Sequence, residues 1–229
     1  MRAMILAAGL GKRLRPLTND VPKPMMLVGG KPLLQWHIER LVGAGIKEIV
    51  INTSWLADKI EGYFKNGAEF GAKIIWSRET TPLETGGGIY KALPLLGKDP
   101  FIVINADIWS DFSIDQLAIN NMTSDILAYL VLVRNPEHNR DGDFSLTNEV
   151  IGYNENRYTF SGISLISPAL FNPKNIVDPV FSLPSILSPA ILSQKVGGSI
   201  FLGDWCDVGT LTRYYSLNRR LIERKNAPT

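Results

Sequence analysis

A glycine-rich stretch near the start of the chain is followed by three basic side chains. The run AAGLG at 7–11 precedes Lys12, Arg13 and Arg15. Small residues let backbone N–H groups come close to an anion, and the basic side chains add positive charge. The stretch lacks the Lys-Ser/Thr pair of a P-loop and the third glycine of the dinucleotide fingerprint, which argues against a nicotinamide-dependent dehydrogenase. It predicts a phosphate loop of another kind; a basic, solvated loop is the alternative.

A lysine stands between two prolines shortly after this loop. Pro22 and Pro24 restrict the backbone on both sides of Lys23, and we expect them to hold it in an extended conformation. An exposed lysine gains nothing from such stiffness, whereas a lysine aimed at a phosphate does. Lys23 is therefore a candidate phosphate contact.

Strands and helices alternate through the first half of the chain. Apolar runs predict strands at 3–8, 48–53, 73–77 and 101–106, with helices at 32–41, 56–64 and 85–96. Such alternation is typical of βαβ units around a parallel sheet. We therefore predict an α/β fold, a three-layer αβα sandwich of Rossmann-like type with a mostly parallel central sheet.

The pattern loosens after Arg134. A polar loop or flap is expected at 134–145, antiparallel strands at 149–153 and 159–166, and helices at 182–192 and 210–225. We expect one domain over 1–229, in which the second half supplies a small antiparallel lid.

The composition excludes several classes of protein. The 229 residues carry a formal charge of +2, and 45% are hydrophobic. So small a charge does not suggest a nucleic-acid or membrane surface, and no apolar run reaches the ~20 residues that cross a bilayer. The single cysteine, Cys206, excludes internal disulfides and a Cys₄ zinc site. We expect a cytoplasmic protein with no nucleic-acid or membrane partner.

The order of three motifs resembles the sugar-phosphate nucleotidylyltransferases over nearly the whole chain. These motifs are Gly-x-Gly-x-Arg-Leu at 9–14, Pro-Lys-Pro-Met at 22–25 and Gly-x-Pro-Leu at 30–33. The resemblance implies an Mg²⁺-dependent enzyme that joins a nucleoside triphosphate, here UTP, to a sugar 1-phosphate and releases pyrophosphate. Carried over by position, the catalytic residues would be Arg13, on the triphosphate, and Lys23, between the attacking phosphate and the α-phosphate.

The resemblance also divides the chain into a nucleotide-binding half, 1–133, and a sugar-binding half with a closing helix, 134–229. A glycine-rich helix entry at 84–88 corresponds to the part of the family fold where the backbone reads the base. Close approach to a ligand is one account of its three glycines, and tight packing is the other. The implied nucleotide contacts are Ala7, Ala8, Gly9, Gly11, Thr85, Gly86, Gly87 and Asn105.

Two aspartates match the family's metal pair. Asp107 follows the apolar run at 101–106, and Asp207 precedes a Val-Gly-Thr turn. Two polyanions must meet in this reaction, and Mg²⁺ held by carboxylates offsets their charge. Taken singly, each aspartate could instead be a capping or turn residue.

The chain departs from the family at two points. Glu84 stands where glycine is common, and the family's Glu-Lys-Pro is replaced at 155–157, so its sugar-phosphate lysine is missing. The resemblance leaves Glu155, Arg157 and Gly162 as the sugar-binding candidates, with Arg157 as the substitute cation.

Other outcomes remain open at this point. A mannose-1-phosphate guanylyltransferase, a glucose-1-phosphate uridylyl- or thymidylyltransferase and a phosphocholine cytidylyltransferase share the motifs. A non-catalytic regulatory homologue should have lost one of Arg13, Lys23, Asp107 and Asp207, and all four are present. We expect a monomer or a weak homodimer.

Overall fold

The computed structural model describes residues 1–117, 122–123, 125–173, 176 and 178–226. Nine strands in these ranges form one sheet: β1 Ala3–Leu6, β4 Glu48–Thr53, β5 Lys73–Arg78, β6 Phe101–Asn105, β8 Ala128–Val133, β9 Phe144–Thr147, β10 Val150–Gly152, β11 Arg157–Ile166 and β12 Val196–Phe201. Their order across the sheet is β5-β4-β1-β6-β11-β8-β12-β10-β9.

Two small strand pairs and five α-helices accompany this sheet, besides several short 3₁₀ helices. The pairs are β2 Leu27–Val28 with β3 Lys31–Pro32, and β7 Ile108–Ser110 with β13 Trp205–Asp207. The helices are α1 Leu33–Gly43, α2 Ala57–Phe64, α3 Glu84–Leu96, α4 Leu183–Leu192 and α5 Leu211–Asn226. Within the described ranges, no helix is long and apolar enough to span a membrane.

Alternate residues of the central strands pack on opposite faces of the sheet. Ile5 and Ile51 face a core shared with α1 and α2, whereas Met4 and Val50 face a core shared with α3 and α4. Each of these strand residues is fully buried, as expected of central strands covered on both faces. The predicted α/β class and its three layers are therefore confirmed.

The prediction of a mostly parallel sheet is wrong, because the sheet is mixed. β5, β4, β1 and β6 run parallel, but β11 lies antiparallel between β6 and β8. β12 is parallel to β8, and β10 and β9 pair in antiparallel fashion beyond it. The strand expected in a lid, β11, is thus a central strand. Every residue of β11 from Ser161 to Ile166 is buried, so side chains on both faces of the strand are covered. A strand in a lid would expose one face to solvent.

A third apolar cluster attaches the last helix. Leu217 and Leu221 of α5 pack with Trp109, Val208 and Leu14. This cluster lies beneath the strand pair β7–β13 and the loop after β1, so the closing helix supports the segments that carry Asp107 and Asp207.

His37 of α1 is a buried histidine that supplies a pH test of stability. Burial lowers its pKa from 6.5 to about 4, and the nearby Arg40 acts in the same direction. The unfolded chain binds a proton below pH 6.5 that the folded chain does not take up until about pH 4. Stability should therefore fall as the pH drops through that window, by at most roughly 3 kcal/mol for a shift of this size.

Urea unfolding of the wild type and of His37→Leu, followed between pH 7 and pH 4, would measure this effect. As the pH falls, the free energy of unfolding should decrease more for the wild type than for His37→Leu. A difference between wild type and His37→Leu that stays constant with pH would contradict the prediction.

Candidate functional site

A cleft of about 490 Å³ opens at the carboxyl ends of the parallel strands. Among its lining residues are nine of the predicted site residues: Ala7, Ala8, Gly9, Gly11, Arg13, Lys23, Thr85, Asn105 and Asp107. Open α/β sheets place their ligands at this edge. The structure therefore brings the predicted phosphate loop, the proline-flanked lysine and one predicted metal ligand together.

The loop after β1 is held in shape by Gly11 and Thr18. Gly11 has φ +62°, in the left-handed region that favours glycine, and a Cβ there would lie 3.1 Å from the Thr18 side chain. The Thr18 hydroxyl donates to the Gly11 carbonyl at 2.8 Å. The chain then turns through a short 3₁₀ helix, Lys12–Leu14, in which Leu14 is buried and Arg13 is exposed. Arg13 is thus presented at the mouth of the cleft.

Lys23 contacts Asp107 directly. Its Nζ lies 2.7 Å from Oδ2 of Asp107, and the lysine side chain is only 12% exposed. The expectation of an extended backbone is wrong at this position, because Lys23 begins the 3₁₀ helix Lys23–Met25 and its carbonyl accepts from the Met26 N–H. Pro22 before it is extended. The prolines therefore set a tight turn that points the ammonium group at the carboxylate.

Asp207 lies beside Asp107 but carries different partners. β13 pairs with β7 so that Asp207 stands opposite Ile108, and the Val208 N–H donates to the Asp107 carbonyl at 2.7 Å. Nη2 of Arg213 lies 3.0 Å from Oδ2 of Asp207, and Nε2 of His138 lies 3.1 Å from Oδ1. Asp207 does not line the cleft itself, although Gly209 does.

The two aspartates suit a hard divalent cation. No three His, Cys, Asp or Glu side chains converge into a closed metal cage in the part of the chain that the structure describes. Mg²⁺ needs no such cage, because it commonly takes one or two carboxylates and completes its shell with waters and substrate phosphates. Oδ1 of Asp207 is buried and, apart from the approach of His138 Nε2 at 3.1 Å, has no hydrogen-bond partner among the described residues. An acceptor so placed is compatible with a metal ligand.

Gly86 and Gly87 do not line the cleft. A Cβ on Gly87 would lie 2.1 Å from the Pro179 carbonyl oxygen, and one on Gly86 would lie 2.5 Å from the ring of Phe181. The Gly87 N–H donates to the Phe181 carbonyl at 3.0 Å. Tight packing of the segment before α4 therefore explains these two glycines. Glu84, which departs from the family glycine, has φ +61°, in the region where glycine is favoured.

The predicted sugar-binding residues divide between two places. Gly162 sits at a bulge in β11, where a Cβ would come 2.9 Å from the Asn105 amide nitrogen, next to the cleft. Glu155 and Arg157 lie apart from it, at a separate open concavity around the β10–β11 turn. Arg157 donates from Nη2 to the Tyr153 carbonyl at 2.8 Å and from Nε to that of Asn154 at 3.2 Å. Its guanidinium therefore closes its own turn.

Sequence reasoning missed two buried polar residues that line the cleft. Asn52, at the end of β4, accepts from the Ala7 N–H at 2.8 Å and donates to Glu79 at 2.7 Å. The other carboxylate oxygen of Glu79 accepts from the Leu83 N–H at 2.9 Å. This chain of bonds ties the phosphate loop to the start of α3. An asparagine closing the apolar run EIVIN was the available signal, since a buried polar side chain requires partners.

Cys206 is not a nucleophile in this geometry. Burial raises the pKa of its thiol to about 11, and the neighbouring Asp207 carboxylate acts in the same direction. The thiol is therefore protonated at neutral pH, and it packs beside the third apolar cluster.

Comparison with known proteins identifies the family. The nucleotidyl transferase family model matches residues 2–145. The chain is 44% identical to the N-acetylmuramate α-1-phosphate uridylyltransferase of Neisseria meningitidis, over 93% of this chain and 95% of that protein. It is 32% identical to the D-glycero-α-D-manno-heptose 1-phosphate guanylyltransferase of Campylobacter jejuni, over 94% of this chain and 97% of that one.

A solved structure agrees with the fold. HddC from Yersinia pseudotuberculosis, complexed with GMP-PN, has a TM-score of 0.80 at 24% identity and covers 96% of this chain and 98% of its own. This likeness concerns the fold alone. The family match and the relatives go further: this chain belongs to the nucleotidyl transferase family.

Proposed function

We propose that the chain transfers the uridylyl group of UTP to N-acetylmuramate α-1-phosphate, giving UDP-N-acetylmuramate and pyrophosphate, in cell-wall recycling. The Neisseria relative supports this choice of substrates, because it matches nearly the full length of both chains. The observation that carries the reaction class is the cleft, in which Arg13, Lys23 and Asp107 meet the glycine-rich loop.

The residues divide the work by position. The loop amides and Arg13 would hold the triphosphate, and Lys23 would lie where the two phosphates meet. An oxygen of the sugar phosphate attacks the α-phosphorus in line, a P–O bond forms, and the bond to pyrophosphate breaks. The attacking phosphate is already ionised, so no general base is required. Catalysis then consists of positioning and of stabilising negative charge.

Asp107 and Asp207 would hold Mg²⁺ in this proposal. When bound there, the ion would neutralise charge on the phosphate oxygens. The short distance between Lys23 and Asp107 supports the assignment, because it places the predicted lysine and a predicted ligand at one point in the cleft.

A substrate panel tests the proposal. Pyrophosphate release would be measured with UTP, GTP, CTP and dTTP, each against the 1-phosphates of N-acetylmuramate, mannose, glucose and D-glycero-D-manno-heptose. UTP with N-acetylmuramate α-1-phosphate should give the highest kcat/KM. A higher value with GTP and a manno-configured sugar would overturn the substrate assignment, and no turnover with any pair would overturn the reaction.

Arg13→Ala should weaken the binding of UTP more than the binding of the sugar phosphate. Arg13 stands exposed at the cleft mouth after the glycine-rich loop, where it would meet the β- and γ-phosphates, and a charge-assisted hydrogen bond contributes about 1.5–3 kcal/mol. We expect the Kd for UTP to rise about tenfold or more, with the Kd for the sugar phosphate nearly unchanged. Calorimetric titrations with each ligand would show the split. Arg15→Ala, an exposed neighbour outside the cleft lining, is the matched control. Equal losses for both ligands would refute the role.

A further inference from the structure

Arg213 is placed on Asp207 by the start of the last helix. The Thr210 hydroxyl accepts from the Arg213 N–H at 3.3 Å, the bond of an N-cap residue to the first turn. From that turn the side chain reaches back, so that Nη2 lies 3.0 Å from Oδ2 of Asp207. Both side chains are about four-fifths buried, with exposures of 19% and 20%. The pair is therefore built into the structure rather than formed by two mobile surface chains.

Gly209 makes room for this guanidinium at the cleft wall. A Cβ on Gly209 would lie 2.0 Å from Nη2 of Arg213 and 2.9 Å from Oδ2 of Asp207. Only glycine lets the guanidinium lie flat against the backbone at this point. Gly209 itself lines the cleft, so the guanidinium lies directly behind one wall residue, although Arg213 is not among the lining residues.

The guanidinium has hydrogen-bonding capacity that Asp207 does not use. Its Nε is buried and has no hydrogen-bond partner among the described residues. An arginine offers five N–H donors in a planar fork that matches phosphate geometry. One carboxylate oxygen, Oδ2, engages one end of that fork. Arg213 is thus able to bind a second anion.

A sugar 1-phosphate brings two negative charges next to a triphosphate, and the cations that could bind its phosphate differ in what already engages them. Lys12 and Arg13 line the cleft at the glycine-rich loop, where the triphosphate would bind. Lys23 already stands at Asp107. Arg157 is engaged by the carbonyls of its own turn at the separate concavity. Arg213 instead pairs with the aspartate whose other oxygen, Oδ1, has only the approach of His138.

We propose that Arg213 is a phosphate-positioning residue, which pairs with Asp207 in the free protein and turns to the phosphate of the sugar 1-phosphate when Asp207 takes a divalent cation. This inference rests on the proposed function. It has two consequences of opposite sign. In the free protein Arg213 competes with the metal ion for Asp207, whereas in the loaded enzyme it attracts the sugar phosphate.

Arg213→Met tests both consequences at once. The electron paramagnetic resonance of free Mn²⁺ would measure Mn²⁺ binding to the ligand-free protein. The variant should bind Mn²⁺ about three- to tenfold more tightly, because a neighbouring like charge is removed. N-acetylmuramate α-1-phosphate, titrated by calorimetry with Mg²⁺ present, should bind about tenfold or more weakly, and UTP should change less than about twofold. Arg213→Lys keeps the charge, so its Mn²⁺ affinity should stay near that of the wild type.

Arg220→Met is the matched structural control. Arg220 lies on the same helix and pairs with Asp204 at 3.0 Å, away from the cleft. It should leave both Mn²⁺ and sugar-phosphate affinities unchanged. The proposal is overturned if Arg213→Met weakens the binding of both Mn²⁺ and the sugar phosphate. It is also overturned if the two affinities of Arg213→Met equal those of Arg220→Met. The Mn²⁺ measurement needs no turnover. If Arg213→Met tightens Mn²⁺ as expected but the wild type makes no UDP-sugar, the proposed function is refuted and the competition for Asp207 still stands.

Discussion

Lys23→Ala should lower kcat at saturating UTP by about 10²- to 10³-fold, while the affinity for UTP falls much less. The ammonium group is largely buried and lies 2.7 Å from the Asp107 carboxylate, at the place where the two phosphates would be pushed together. A charge at that place helps most as the anions approach, so its loss should appear in the chemical step. The loop amides and Arg13 would still hold the triphosphate.

Single-turnover rates at saturating UTP would measure this loss. Lys23→Arg should also be slow, because the larger planar guanidinium must fit a position fixed by Pro22, Pro24 and the 3₁₀ turn. Lys47→Ala, at an exposed lysine outside the cleft lining, is the control and should keep its rate. An unchanged kcat with only a raised KM for UTP would make Lys23 a binding residue and remove it from the chemical step.

The second large effect is expected at the two aspartates. Asp107→Asn and Asp207→Asn should each lower turnover at least ~10²-fold, about 2.7 kcal/mol of barrier. The amide oxygen keeps the shape of the side chain but not the charge that a hard cation requires. Mn²⁺ binding to the ligand-free variants should weaken in parallel, which separates a metal role from general damage to the fold.

Asp204→Asn gives this experiment its control. Asp204 lies in the segment just before β13 and pairs with Arg220 and Arg224 of α5, so its loss disturbs the same helix without reaching the cleft. We expect near-normal turnover and Mn²⁺ binding. If Asp107→Asn or Asp207→Asn behaved like Asp204→Asn at saturating Mg²⁺, the metal assignment for that residue would be wrong.

The fold as far as β6 could be predicted from sequence because its signals are local, whereas β8 is absent from the prediction. β4 has the predicted bounds, Glu48–Thr53, and α2 and α3 start within a residue of their predicted positions. Short apolar runs between amphipathic helices give direct evidence for βαβ units. The same logic placed the glycine-rich loop and Asp107 at one edge of the sheet, because both follow immediately after buried strands.

The second half was harder because its strands are defined by distant partners. β11 was expected as a lid strand, but its apolar part lies between β6 and β8, and nothing local encodes that pairing. β12, with two glycines in a six-residue strand, carries little strand propensity and was missed. The prediction of Arg157 as a sugar-phosphate contact depends on its charge and position alone. The sequence could not show that its guanidinium donates to the carbonyls of its own turn.

The glycines at 86 and 87 show the same limit. Their sequence is equally suited to a ligand or to a close backbone contact, and only the position of the Pro179 carbonyl distinguishes the two. By contrast, the family resemblance paired Asp207 with Asp107, and their two segments are neighbours in the structure. The resemblance did not indicate Arg213, which approaches Asp207 from the first turn of the following helix.

The central position of β11 has a consequence for how the molecule folds. Its partners β6 and β8 both precede it in the chain, and they are joined in space only through it. A nascent chain that ends near residue 133 therefore holds two apolar strands, each with a row of unpaired amides and carbonyls. Such edges pair readily with other chains. Because the missing strand closes contacts across some sixty positions, from Ile104 to Ile163, the sheet should form late and cooperatively. Residues 1–133 are therefore not expected to complete the sheet alone, and the part of the cleft wall that Gly209 supplies forms only after the later half of the chain has folded.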